Sequence, residues 1–186
     1  MSDLFALASR MSDLTGGTGL PPVDKWNPEY CGEIDMVIRK DGLWFHEGSP
    51  IGRPQLVRLF STVLKREEDD YFLVTPVEKL KIVVEDVPFL AVEMTVQDED
   101  TPDQQLTFRT NVGDDVIAGP DHALAFRAGE AEDELVPYLH VRRGLEARLS
   151  RPVYYQLAEL VRSDPPVVVS NGATFPFGNP SAATGA

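Results

Sequence analysis

Two segments of this sequence repeat the same order of local signals, and this repeat constrains the fold more than any other feature. Residues 37–64 and residues 140–162 each read as a strand, a glycine turn, a second strand, an Arg-Pro pair and an amphipathic helix. The turn glycines are Gly42 and Gly144, and the Arg-Pro pairs begin at Arg53 and Arg151. Such a repeat predicts two similar halves with a seam between them, and seams are common places for ligands.

The local signals along the chain favour strands over helices. Asp41-Gly42 between two extended runs is typical of a β-hairpin, because both residues tolerate a positive φ. Pro54 suits the first turn of a helix, where its missing N–H costs nothing. We therefore predict an α+β fold of mostly antiparallel strands, built from two related β-plus-helix units. The second half, with several strands before its helix, fits a pleckstrin-homology-like plan.

Composition changes along the chain predict four regions. The N-terminal residues are small, polar and rich in glycine, and the C-terminal residues lack hydrophobic periodicity, so both ends are expected to be poorly ordered. The predicted regions are a flexible N-terminal arm (1–25), an N-terminal β-plus-helix domain (26–88), a C-terminal pleckstrin-homology-like domain (89–170) and a disordered tail (171–186).

The charge and the cysteine content exclude several classes of partner. A formal net charge of −13 argues against binding to nucleic acid or to anionic membranes, both of which need clustered Lys and Arg. No apolar run approaches the roughly 18 residues of a membrane helix, and the first ten residues lack a signal-peptide pattern. Cys31 is the only cysteine, so we expect no intrachain disulfide and a cytoplasmic location.

No recognised catalytic motif is present. The histidines His46, His122 and His140 lack metal-ligand spacing, and Ser49 is not in a G-x-S-x-G motif. We therefore predict no metal site and no catalytic residue, so a non-enzyme is favoured. The sequence indicates no particular cofactor.

Basic residues are few in this chain, so their positions are informative. Arg53 precedes a predicted helix, where a guanidinium and the helix N-terminus together favour an anion, although the same arginine could simply pair with a local carboxylate. Aromatic residues on strand faces near these cations could hold a flat ligand, or could belong to the core. The predicted ligand-binding residues are Trp44, His46, Arg53, Thr75, Lys79, Phe108 and Thr110.

Several motifs in the first half resemble one known family. These are W-N-P-E-x-C-G-x-I-D-M from Trp26, D-G-x-W-x-H-x-G-x-P-I-x-R from Asp41 and Y-x-L-V-T-P-V-E-K from Tyr71. They resemble the bacterial family filed as domain of unknown function 1285, and the resemblance extends more loosely over the second half. It implies duplicated β-plus-helix units, the second pleckstrin-homology-like. It also implies a nucleotide-like ligand in the cleft between the halves and a role in signalling.

Three functional hypotheses follow. The first is a non-catalytic binding or regulatory module for a small anionic ligand, nucleotide-like in character, bound by the seven residues above. The second is a protein-interaction adaptor that uses the acidic loops and the tail motif Phe175-Pro176-Phe177. The third is a hydrolase with His46 as general base and Glu78 or Glu85 as its partner, because a general base needs a positioned acceptor within hydrogen-bond reach.

Overall fold

The computed structural model of the protein describes residues 4–14, 19–131 and 134–178. The chain divides between Pro88 and Phe89 into two units. The fold is α+β and mostly antiparallel, as the sequence predicts. In the part of the chain that the structure describes, no helix has the length and apolar character needed to cross a membrane.

The first unit is one mixed sheet with two helices. The helices are α1 (Leu4–Leu14) and α2 (Pro54–Thr62). The strands are β1 (Tyr30–Ile38), β2 (Trp44–His46), β3 (Ser49–Pro50), β4 (Leu64–Glu67), β5 (Asp70–Val74) and β6 (Lys79–Val84). Their order in the sheet is β3-β2-β1-β6-β5-β4, and every neighbouring pair is antiparallel except β1 and β6, which run parallel.

The predicted Asp-Gly hairpin joins β1 and β2. Gly42 adopts a φ of 82°, a conformation that favours glycine. The N–H of Arg39 donates to the carbonyl of Leu43 at 2.9 Å, and the side chain of Asp41 accepts the N–H of Leu43 at 3.0 Å. The turn is therefore held by backbone and side chain together, which is the usual role of Asp in turns.

Helix α2 is shorter than its hydrophobic pattern indicates. The periodic pattern extends through Leu64, whereas the helix ends at Thr62 and Leu64 begins β4, paired with Leu73. The acidic run after it forms the β4–β5 hairpin, in which Glu68 takes a φ of 56°. From Leu64 onward the chain forms a strand and not another helical turn, because pairing with β5 gives its backbone N–H and C=O groups hydrogen-bond partners that a frayed helix end would lack.

The N-terminal region departs from the expected flexible arm of residues 1–25. Residues 4–14 form α1, which packs against α2 and buries Leu7 and Met11 completely. The guanidinium of Arg10 also pairs with the carboxylate of Glu78 at 2.9 Å. Leu7 and Met11 are four residues apart and share one helical face, which supplies enough apolar area to fix the helix. The expectation for 1–3 and 15–18 lies outside the described residues.

The second unit repeats the sheet of the first. Its elements are β7 (Phe89–Gln97), β8 (Gln105–Thr110), β9 (Asp115–Ile117), β10 (Leu124–Ala128), β11 (Leu135–Arg142), β12 (Leu145–Leu149) and α3 (Arg151–Glu159). The sheet order is β10-β11-β12-β7-β8-β9, with β12 and β7 parallel and the other pairs antiparallel. Six strands followed by one helix is the order of elements that the sequence predicts for this half.

The duplication is confirmed, but the two helices hold different places in it. Both sheets consist of two three-stranded meanders joined by a central parallel pair of first and last strands. In the first unit the helix follows the third strand, and in the second unit it follows the sixth. The similar segments 37–64 and 140–162 therefore share a hairpin–helix connection and do not occupy equivalent strands of the sheet.

The C-terminal region is more ordered than the predicted disordered tail of residues 171–186. A hairpin near the C-terminus joins β13 (Val167–Ser170) to β14 (Ala173–Pro176) through Asn171 and Gly172. These turn residues have φ values of 47° and 74°, the signature of a type I′ turn. Asn-Gly flanked by strand-forming residues is a strong hairpin signal, and it outweighs the low periodicity. Residues 179–186 lie outside the described residues.

We predict that Gly172→Ala lowers the free energy of unfolding of the second unit by about 1 kcal/mol, because a β-carbon is unfavourable at a left-handed φ. Urea denaturation followed by circular dichroism measures this change. Gly178→Ala is the matched control, since that glycine has no left-handed φ and open space around its α-carbon. Equal stability of the two variants would contradict the assignment of the turn.

Candidate functional site

Four of the seven predicted ligand-binding side chains are buried. They are Trp44, Thr75, Phe108 and Thr110. The ring of Trp44 stacks on Phe60 of α2, with centroids 6.5 Å apart and planes 20° apart. Phe108 has no exposed surface at all. Both aromatic rings therefore pack in the cores of their respective units, which is the alternative that the strand pattern left open.

The two buried threonines close turns. The hydroxyl of Thr75 accepts the N–H of Glu78 at 3.0 Å, between β5 and β6. The hydroxyl of Thr110 accepts the N–H of Asp114 at 3.1 Å, between β8 and β9. Hydroxyl-to-backbone bonds of this kind are a common way to stabilise a turn. Each of these hydroxyls therefore already has a structural role.

Lys79 belongs to an ion-pair network on the first sheet. Its ammonium pairs with the carboxylate of Glu67 and lies 4.8 Å from the centroid of Phe72. Glu67 also pairs with Lys65 at 3.1 Å. The hydrogen bond from Lys79 is the main cause that lowers the pKa of Glu67 below its ordinary value of 4.5, against a smaller opposing effect of burial. The positive charge of Lys79 is therefore already paired with a carboxylate of the first unit.

His46 and Arg53 keep part of their surface exposed. His46 lies on β2 opposite Ser49 of β3, and Arg53 is the N-cap residue of α2. The two carboxylates expected to assist His46 have other hydrogen-bond partners. Glu78 pairs with Arg10, and Glu85 accepts the backbone N–H of Lys40 at 2.9 Å.

The remaining histidines are fixed by backbone groups. The Nδ1 of His140 donates to the carbonyl of Asp121 at 2.9 Å, and its Nε2 accepts the N–H of Gly144 at 3.2 Å. The rings of His122 and His140 stack with centroids 6.0 Å apart. Across residues 4–14, 19–131 and 134–178, no three His, Cys, Asp or Glu side chains come together in a group that could hold a metal ion.

The second unit contains a cavity of about 320 Å³ at the beginning of α3. It lies where β11 begins, where β12 ends and where the first turn of the helix starts. The residues that line it are Glu134, Leu135, Val136, Pro137, Arg148, Leu149, Arg151, Tyr154 and Tyr155. The cavity therefore combines apolar strand residues with two guanidinium groups and two phenols.

One face of α3 supplies three of these side chains. Arg151, Tyr154 and Tyr155 are spaced i, i+3 and i+4, which places them together on a helix surface. The apolar face of the helix, with Val153 and Leu157, is buried in the core. Tyr155 is 61% exposed, which is unusual for so large an aromatic residue. The cavity side of α3 is thus open to a ligand.

The beginning of α3 is suited to an anion. Its N-cap residue Ser150 makes no side-chain capping bond, and the first turn contains no acidic residue. The positive end of the helix dipole is therefore not neutralised by its own helix, and Arg151 adds a full charge at the same place. Arg148, one residue from the end of β12, supplies the second guanidinium.

Glu134 is the acidic residue among those that line the cavity. Its carboxylate accepts the backbone N–H of Glu130 at 3.0 Å and of Ala131 at 3.3 Å. The Glu134 side chain lies against Gly129, and a β-carbon added at Gly129 would be 2.2 Å from a carboxylate oxygen of Glu134. The carboxylate therefore stabilises its own loop.

None of the seven predicted ligand-binding residues lines this cavity; the sequence singled out Arg151 only as the start of the second Arg-Pro pair. The available signal was the placement of Tyr154 and Tyr155 outside the apolar face of α3, on the same side as Arg151. Arg148 alternates with buried neighbours on β12, which shows only that it faces away from the core. The first residues of β11 lie beside the start of α3 only in the tertiary structure, and no short sequence pattern indicates this proximity.

Two family models together match residues 21–177 of the chain. Residues 21–87 match the family described as "Domain of unknown function (DUF1285), N-terminal domain". Residues 88–177 match "Protein of unknown function (DUF1285), C-terminal domain". No curated protein matches the chain.

Two solved structures are similar to this chain. A DUF1285 family protein from Silicibacter pomeroyi DSS-3 is 42% identical, with a TM-score of 0.88 and 99% coverage of both chains. A second DUF1285 family protein, from Shewanella baltica OS155, is 27% identical, with a TM-score of 0.56. That alignment covers 70% of this chain and 94% of the other.

We predict that Glu67→Gln destabilises the first unit by roughly 0.5–1 kcal/mol near neutral pH, the range of a partly exposed ion pair. Because the pKa of Glu67 is lowered in the folded state, its stabilisation is present above the ordinary value of 4.5 and is lost as the pH falls through the lowered pKa. Urea denaturation at several pH values measures the difference from the unsubstituted protein.

Glu68→Gln is the matched control for this experiment. It removes the same charge one residue away, in the turn between β4 and β5. We expect a small change in stability for this variant. A destabilisation by Glu67→Gln that stays constant from neutral pH down to about pH 3, below the ordinary carboxyl pKa, would contradict the role given to the ion pair.

Proposed function

The chain belongs to the DUF1285 family, and on that premise we propose that it is a non-catalytic binding module whose ligand is a small, nucleotide-like anion. The proposed site is the cavity at the start of α3. The observation that carries the proposal is the convergence of Arg148, Arg151, Tyr154 and Tyr155 on one cavity beside an uncapped helix N-terminus.

The chemistry of these side chains favours an anion with a flat ring. Guanidinium groups bind phosphate or carboxylate oxygens through paired N–H donors. Phenol rings offer a stacking surface and a hydroxyl, a combination that is common in binding sites. A volume of about 320 Å³ is at the small end of ligand cavities and suits a ligand of about mononucleotide size.

The proposed role is regulatory, in bacterial signalling. Among the described residues that line the cavity, none is a histidine, cysteine or serine that could act as a nucleophile or base. The lining carboxylate, Glu134, accepts backbone N–H groups of its own loop. A cytoplasmic setting remains our expectation and rests on the single cysteine, Cys31, which is exposed. Binding without turnover would let the protein report the concentration of its ligand.

The two alternatives have weaker support. An adaptor that uses the tail motif would need its aromatic residues free, yet Phe175 is buried and the ring of Phe177 stacks on Tyr154. A hydrolase based on His46 would need a partner carboxylate, yet Glu78 and Glu85 have the other hydrogen-bond partners described above.

We predict that a nucleotide-like anion stabilises the protein in a thermal-shift screen against nucleotides, dinucleotides, cyclic dinucleotides, pyrophosphate and phosphate. A ligand at about 100 times its dissociation constant adds roughly 2.7 kcal/mol of stability. Arg151→Ala should weaken binding of that ligand about ten- to hundred-fold, the range expected for one charge-assisted contact.

Arg53→Ala is the matched control, because Arg53 also stands at the start of a helix that lacks a side-chain cap and an acidic first turn. We expect it to bind as the unsubstituted protein does. Loss of binding in Arg53→Ala with full binding in Arg151→Ala would move the site to the residues predicted from sequence. No stabilisation by any compound of the panel would contradict the proposed function.

A further inference from the structure

We propose that the C-terminal hairpin of β13 and β14 is part of the binding site, an inference that rests on the proposed function above. In this proposal Phe177 positions Tyr154 on the wall of the cavity. Docking of the C-terminal segment and binding of the ligand then stabilise each other. We call residues 167–177 the strap.

Buried polar groups hold the turn end of the strap, which is the end away from Phe177. The hydroxyl of Ser170 donates to the carbonyl of Ala118 at 2.7 Å and accepts the N–H of Leu106 at 2.9 Å, and Ser170 has no exposed surface. The amide of Gln104 donates to the carbonyl of Val169 at 2.8 Å. Buried hydrogen bonds of this kind are costly to break, so they stabilise the docked hairpin on the second unit.

The near end of the strap reaches the cavity through one aromatic residue. The backbone N–H of Phe177 donates to the carbonyl of Pro166 at 2.8 Å, which fixes the exit of the chain from β14. The ring of Phe177 lies nearly parallel to that of Tyr154, with centroids 6.1 Å apart and planes 9° apart. It also meets Phe126 of β10 edge-on at 4.9 Å.

This stack restrains a side chain that lines the cavity. Tyr154 is half-buried, and its ring has two aromatic neighbours: Tyr155 of the same helix, with centroids 5.9 Å apart, and Phe177, which is the one that stacks on it. A binding residue is effective when other side chains hold its rotamer. If the docked strap raises the affinity for the ligand by holding Tyr154 in place, thermodynamic linkage requires that the bound ligand raise the equilibrium constant for docking of the strap by the same factor.

The test uses Phe177→Leu, which keeps an apolar side chain but removes the aromatic stack. Phe175→Leu is the matched control: it is the same substitution two residues earlier in the strap, and Phe175 is buried but is not stacked on Tyr154 in the described structure. The full chain is labelled with 3-fluorotyrosine and observed by fluorine NMR. Tyr154→Phe identifies the resonance of Tyr154.

We expect the Tyr154 resonance to shift and to broaden in Phe177→Leu, because the ring then samples more than one rotamer, and to stay sharp and in place in Phe175→Leu. A shift without broadening would reflect only the lost ring current of Phe177 and would contradict positioning. With adenosine 5′-monophosphate as the probe, the dissociation constant should rise about three- to ten-fold in Phe177→Leu, the range of one aromatic pair. Saturating probe should also slow amide hydrogen exchange in residues 167–177 of the unsubstituted protein.

Three results would overturn the proposal, and they are distinguishable. A Tyr154 resonance that stays sharp in Phe177→Leu, shifted or not, contradicts positioning by Phe177, whatever the probe does. A broadened resonance with equal or tighter binding of the probe contradicts the coupling alone. No binding of the probe to the unsubstituted protein contradicts the coupling and the nucleotide-like character of the proposed ligand, while the resonance still decides whether Phe177 positions Tyr154.

Discussion

The parallel pairing of the first and last strands is the constraint on which each unit depends. In the first unit it joins β1 to β6, and in the second it joins β7 to β12. Parallel neighbours cannot be joined by a tight turn, so the chain must cross over between them. In each unit it does so through two three-stranded meanders, one on each side of the parallel pair. In the second unit the same pairing sets the start of α3. The last paired residue of β12 is Leu149, opposite Ala91, and the N–H of Ser150 donates to the carbonyl of Ala91 at 3.0 Å.

The cavity follows from this geometry together with local charge. The whole chain has 30 acidic and 17 basic side chains, so its long-range field repels anions. Recognition of an anion must therefore come from contacts within about one Debye length, roughly 8–10 Å. Arg148 and Arg151 meet that requirement because the end of β12 and the first turn of α3 are one residue apart. Glu134 is compatible with an anion because its carboxylate already accepts backbone N–H groups.

Sequence reasoning succeeded where the signal was local. The Asp41-Gly42 turn and the start of α2 at Pro54 depend on backbone preferences that single residues carry. The repeated segments predicted two similar units, although these segments lie at different places in the two sheets. The disorder predicted for the tail is wrong for residues 171–178, which the structure describes. Asn171-Gly172 is a turn signal of the same kind, but low periodicity was given more weight than turn chemistry.

The candidate site was harder to predict because it depends on which face of an element is buried. Alternation shows that Trp44 and Phe108 share strand faces with polar neighbours, but only the packed structure shows that these faces are cores. Lys79 was selected because basic residues are few in this chain. Its partner Glu67 lies on β4, a strand that begins at Leu64, where the helical pattern of α2 still continues. Arg151 was recognisable from its Arg-Pro context, whereas the supporting stack of Tyr154 and Phe177 joins two elements that are distant in sequence.

The most direct test of the central claim is an NMR titration of the full chain, labelled with nitrogen-15, with adenosine 5′-monophosphate. Binding at the proposed cavity predicts amide shifts concentrated in residues 134–137 and 148–155, where the two arginines and two tyrosines lie. Smaller shifts should appear in the strap around Phe177. Shifts confined to the first unit, or no shifts at all, would contradict the assignment of the site.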